Sequence, residues 1–182
     1  LAAYGLILLV YGAFKGEGNL GFITSAVIGA FLASMTFILK MDWSPISILG
    51  GMAMFDSFAA WLQIIILLGL AISLLLSYDW LKENNLERFE YPILVLFSGI
   101  GMLLMVSVTN LLSLYVSLEL SSLCLYVLAA IKRDNIFSAE AGIKYFVLGA
   151  LSSGLLLFGI SLIYGYTGST DYELIARTLL AN

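Results

Sequence analysis

Histidine is absent from all 182 residues, cysteine occurs once, at Cys124, and proline only twice. Without imidazole there is no histidine-ligated haem or zinc and no Ser-His catalysis. One cysteine, placed inside an apolar run, builds neither a disulfide framework nor a Cys-ligated cluster and reads as a small packing residue. No glycine-rich phosphate loop follows a strand, so no nucleotide site is visible. Charge is scarce too: charged residues make up 11% and the net charge is −4, so no basic stripe exists to hold nucleic acid. Within this chain the expectation is therefore no catalytic residue, no metal site and no cofactor site.

What is present is apolar length. The chain is 62% hydrophobic with a mean hydropathy of +1.05, whereas a soluble domain is roughly half apolar and a quarter charged. Six segments read as helices able to lie across a bilayer: Leu1–Phe14, Leu20–Leu39, Ser57–Ser77, Tyr91–Val108, Leu111–Ile131 and Ala139–Tyr164. The expected class is an all-α, multi-pass membrane protein. Leu1–Phe14 has neither Met nor a basic flank, so it does not read as a signal peptide. That run is short for a span, and RTLLAN ends without a close, so the chain reads as part of a longer polypeptide.

The connections are distinct. KGEGN is a tight polar turn, and DWLKENNLERFEY is the most charged stretch. Residues 40–56, with Pro45 and Gly50-Gly51, suggest a small β-hairpin on the membrane surface. Asp56 is read as a helix cap, as is Ser138, with Glu140 in the first turn of the helix that follows. Asp171, Glu173 and Arg177 lie beyond the last span and are expected to face water. Lys15, Lys82, Arg88, Lys132 and Arg133 fall on one side of the alternating spans, and Lys40 and Arg177 on the other. The positive-inside rule puts the first group in the cytoplasm or matrix. Trp43, Trp61 and Trp80 sit near helix ends, as interfacial aromatics do.

Two charges lie within the spans. Glu119 is ~13 Å along its helix from Asn110, a depth at which an ionisable group costs roughly 2–3 kcal/mol and needs a partner or water. Tyr115, Glu119, Ser122 and Tyr126, at i, i+4, i+7 and i+11, make one polar stripe that must face other helices or a hydrated cavity. Lys144, ~8 Å from the cytoplasmic end of its helix, has two readings. It pairs with Glu140 four residues earlier and snorkels to the surface, or it belongs to the same proton relay. The depths differ by ~10 Å, too much for a direct Glu119–Lys144 bridge, so water, tyrosine hydroxyls or a further charge must connect them. The small residues Gly142, Gly149, Ala150, Ser153, Gly154 and Gly159 read as close helix packing.

LLSLYVSLELSSLCLYVLAA followed by EAGIKYFVLGALSSGLLLFGISLIYGYTGS resembles the N-type (subunit 2) family of antiporter-like membrane-arm subunits in proton-pumping NADH–quinone oxidoreductase, complex I. The resemblance is dense over 111–169 and sparser over 1–108. It implies a fourteen-helix inverted-repeat fold of which this chain holds the first part. Residues 1–108 would carry four helices and the outer hairpin, and residues 109–182 the fifth and sixth helices with Glu119 and Lys144. By motif, Glu119 corresponds to a fifth-helix glutamate that modulates a neighbouring lysine, and Lys144 to the sixth-helix lysine. The expected proton-pathway residues are Glu119, Lys144, Tyr115, Ser122 and Tyr126. NADH, flavin and iron–sulfur clusters are expected in other subunits and quinone in the whole complex. The expected partners are other membrane-arm subunits and the lipid bilayer, and the expected location is a bacterial inner or mitochondrial inner membrane. The alternatives are a subunit of a multi-subunit cation/proton antiporter, and a scaffold whose charges only hold neighbours in register.

Overall fold

The computed structural model of the protein describes residues 1–16, 18–84 and 86–181. Its helices are α1 (Ala2–Lys15), α2 (Leu20–Lys40), α3 (Ser57–Glu83), α4 (Glu90–Met105), α5 (Leu111–Ala129), α6 (Ile136–Thr167) and α7 (Tyr172–Ala181). Four of them, α2, α3, α5 and α6, are long and apolar enough to cross a membrane, while α1 and α4 are shorter apolar helices. The all-α, multi-pass reading holds. Glu17, inside the KGEGN turn, and Asn85, inside the charged connection, lie outside the described residues, as does Asn182.

The expected hairpin is present. Strand β1 (Ile46–Ile48) pairs antiparallel with β2 (Ala53–Phe55), Ile46 opposite Phe55, around a turn in which Gly50 and Gly51 have φ of 66° and 94°. Asp56 then caps α3, its Oδ1 accepting from the Ala59 amide at 2.8 Å.

The core sits among α1–α4. Ile23, Val27 and Phe31 of α2 meet Ile64, Leu67 and Leu74 of α3 and Ile93 and Leu96 of α4, all buried. Between helices in lipid there is little hydrophobic drive, so close atomic fit holds such a cluster. Where α4 meets α5 the backbones nearly touch. A Cβ at Gly101 would stand 2.7 Å from the Ser117 carbonyl oxygen and the Ser121 amide nitrogen. That contact locks α5, the helix carrying Glu119, against the core.

Several boundaries differ from the sequence reading. The third helix continues past Ser77 to Glu83, because Leu81 is buried with Leu20 and Leu86. The fourth ends at Met105 rather than Val108, since Val108 bridges Ala53 and the Ser107 carbonyl accepts from the Met54 amide at 2.7 Å. The sixth helix begins at Ile136, capped by Asn135, whose Oδ1 accepts from the Phe137 and Ser138 amides. Ser138 is therefore not the cap. Its hydroxyl instead donates to the Ala129 carbonyl at 3.0 Å, and Glu140 lies beyond the first turn. A seventh helix occupies 172–181, where the sequence reading places no element, and Glu173 and Arg177 are exposed on it as expected, 73% and 71%. Asp171 caps it, accepting from the Glu173 and Leu174 amides, and Glu173 pairs with Arg177.

Candidate functional site

α5 stands between α4 and α6, and its polar side chains divide between the two. Toward α4, Ser121 and Ser98 form a buried hydroxyl pair at 3.1 Å. Toward α6, the Tyr115 hydroxyl and Ser153 Oγ lie 3.0 Å apart. Each pair gives two helices a fixed register, and a buried hydroxyl in hydrocarbon needs such a partner.

Tyr126, 9% exposed, closes the other end of the stripe. Its ring meets Tyr145 edge-on at 4.8 Å and Phe146 at 5.7 Å between centroids, arrangements that suit the ring quadrupoles. Its hydroxyl enters space left by Gly149, where a Cβ would be 2.0 Å from the oxygen. The glycine is there to admit the tyrosine.

Glu119 lies between these two tyrosines. It is half-buried, and its Oε1 is buried without a hydrogen-bond partner. A buried carboxylate oxygen without a hydrogen-bond partner is costly to leave unsatisfied. Ser122 is half-buried one turn further along α5.

Lys144 is placed elsewhere. Its ammonium is bonded to Glu140 one turn earlier on α6, and the two side chains are 69% and 52% exposed. The structure thus brings Tyr115, Glu119, Ser122 and Tyr126 onto one helix and leaves Lys144 on the open surface of α6. Of the two readings the sequence allows for Lys144, the i,i+4 pairing is the one observed.

Three participants escape sequence reasoning. Ser153 reads as a packing residue because its neighbours are small, yet it is the partner of Tyr115. Gly149 has the same reading, and its use as a socket for Tyr126 needs the register of α5 on α6. Glu90 falls in the charged connection, although it opens α4 beside Arg133, 3.6 Å away, and its Oε2 is buried and unpartnered. Among the described residues, no group of three or more His, Cys, Asp or Glu is gathered for a metal.

Residues 108–182 match a family model described as NADH:quinone oxidoreductase/Mrp antiporter, transmembrane. The chain is 47% identical, over all of its length and 38% of the relative's, to NADH-quinone oxidoreductase subunit N of Rhodospirillum rubrum. It is 42% identical to the subunit N of Azorhizobium caulinodans with the same coverage. Among solved structures, a chain of respiratory complex I from Thermus thermophilus with bound aureothin superposes with a TM-score of 0.78 at 29% identity, covering 98% of this chain and 41% of that one. A chain of the membrane-bound sulfane sulfur reductase, an archaeal respiratory membrane complex, gives 0.71 at 27% identity, covering 97% and 39%. The chain thus spans about two fifths of the length of the proteins it matches.

Proposed function

We propose that this chain, whose residues 108–182 match the NADH:quinone oxidoreductase/Mrp antiporter transmembrane family model, forms part of a proton-translocating membrane-arm subunit of NADH–quinone oxidoreductase. Its curated relatives carry the name subunit N along the whole of this chain. In this reading it is one component of a multi-subunit enzyme in an energy-coupling inner membrane, bacterial or mitochondrial, beside other membrane-arm subunits. NADH, flavin and iron–sulfur clusters belong to other subunits in this reading, and quinone to the whole complex.

The observation that carries the proposal is the buried, unpartnered oxygen of Glu119 between two tyrosines. Tyr115–Ser153 and Tyr126 supply hydroxyls that donate and accept along the same row. A cation approaching Glu119 from elsewhere in the full-length subunit would favour the carboxylate, and its withdrawal would favour the acid. Lys144, held by Glu140 at the open face of α6, joins the row when that pair separates, which an exposed i,i+4 pair permits at a cost of a few tenths of a kcal/mol.

The test is Glu119→Gln in the complete subunit, with NADH-driven proton uptake measured in vesicles at equal amounts of assembled complex. A drop of about tenfold is expected, smaller than the roughly hundredfold or more that a general acid–base group contributes to a chemical step, because only one member of a longer row is lost. Unchanged uptake would remove Glu119 from the path. A subunit of a cation/proton antiporter remains the second reading, because the matching family model covers both groups. Sodium-dependent proton flux without NADH would favour it.

A further inference from the structure

At the end of the bundle where the basic connections gather, α4, α5 and α6 leave a cleft of about 420 Å³, lined by Arg88, Glu90, Tyr126, Arg133, Gly142 and Phe146 among others. Its walls are mostly apolar, and among the described residues Glu90 is the only carboxylate lining it. We propose that this cleft is the mouth of the proton path on the cytoplasmic or matrix side, and that Glu90 is its proton-collecting group. The inference rests on the reading given under Proposed function and extends it to an entry site.

The geometry is that of a collector. One oxygen of Glu90 faces Arg133 at 3.6 Å, while the other, Oε2, is buried without a partner. The Arg133 side chain is 69% exposed, so this pair is loose and solvent-screened. A proton from bulk water lands on the carboxylate and is passed to water within the cleft, restoring the anion. The volume is ample for several waters.

Tyr126 supplies the inner wall. Its hydroxyl accepts a proton from the cleft and donates its own onward, leaving its charge unchanged. It stands seven residues, about 10 Å of helix rise, from Glu119 on the same face of α5. Cleft, Tyr126, Glu119 and the Tyr115–Ser153 pair thus follow one another along α5. Among the described residues, the titratable groups facing the cleft are Arg88 before α4, Glu90 on α4, Tyr126 on α5 and Arg133 after α5. The lining residues of α6, Gly142 and Phe146 among them, are uncharged.

A collecting group matters most when protons are scarce, and this separates it from a structural ion pair. The assembled complex in inverted vesicles, with the cytoplasmic face outward, is compared as wild type, Glu90→Gln, Glu90→Asp and Arg133→Gln across external pH. Glu90→Gln should assemble normally and lose about threefold in uptake rate on the alkaline side, with little loss on the acidic side, a small fraction of the usual acid–base effect because water still reaches the cleft. Glu90→Asp should recover at least half of that loss, and Arg133→Gln should not reproduce it. Wild-type uptake by Glu90→Gln at every pH, or an equal loss at every pH shared by Arg133→Gln, would overturn the proposal. Should Glu90→Gln fail to assemble, Glu90→Asp decides: an alkaline loss sustains the assignment and wild-type uptake throughout ends it. Glu119→Gln in the same vesicles separates the two ideas. If it lowers uptake at all pH values while Glu90→Gln does nothing, only the mouth is wrong.

Discussion

The α1–α4 half of the bundle and the α5–α6 pair are built from equally greasy sequence, yet they put it to different use. In α3, 33% of the most apolar stretch is buried within the chain, and its inward residues are almost all aliphatic. In α6 the corresponding figure is 11%, and its contacts with α5 include the hydroxyls of Ser138 and Ser153 and the Gly149 socket. The first half is a core. The second is a seam with polar atoms in it, open on one side. Hydrophobic content tells which segments cross the membrane; the rare hydroxyls and carboxyls tell which face of a span has work to do.

The contrast can be broken from either side. Phe31→Ala, in the aliphatic block, should have the largest effect, about 3–5 kcal/mol of stability, read as a fall in the thermal midpoint of the detergent-solubilised protein. Gly101→Ala pushes a methyl group into the α5 backbone and should cost about 1–3 kcal/mol, with Glu119 displaced and uptake falling alongside stability. Ser153→Ala leaves the Tyr115 hydroxyl without its partner and should cost about 1 kcal/mol, while Ser153→Thr should retain most of the stability if the hydroxyl is what matters. Smallest of all, Lys144→Met should alter thermal stability by no more than about 0.5 kcal/mol, since it only breaks an exposed i,i+4 pair. A large loss from Lys144→Met would mean that the open face of α6 contributes to packing as strongly as the core does.

Much of this is legible in the sequence. Apolar runs locate the spans, Gly50-Gly51 mark the hairpin, and Asp56 declares its cap. The stripe Tyr115, Glu119, Ser122, Tyr126 follows from helical spacing alone. Register between helices is not legible, because periodicity fixes a face but not its neighbour. Ser153 and Gly149 look like any small residues until α5 is laid against α6. Val108 reads as helical by hydropathy, and only its pairing with Ala53 draws it out of α4. Asn135 wins the cap over Ser138 because its side chain reaches two amides while the serine hydroxyl finds Ala129. The helix at 172–181 is hidden by its brevity and its charges, which in fact serve it as cap and i,i+4 pair.

The central claim is that the acid on α5 answers to its neighbours and not to bulk water. Infrared difference spectroscopy of the complete complex, at rest and during NADH-driven turnover, addresses it directly. A protonated-carboxyl stretch that appears or shifts on turnover, is indifferent to small changes of bulk pH, and vanishes in Glu119→Gln is the predicted result. A carboxyl signal that titrates with the external medium like an ordinary surface glutamate, in a complex that pumps equally well without it, would contradict the account.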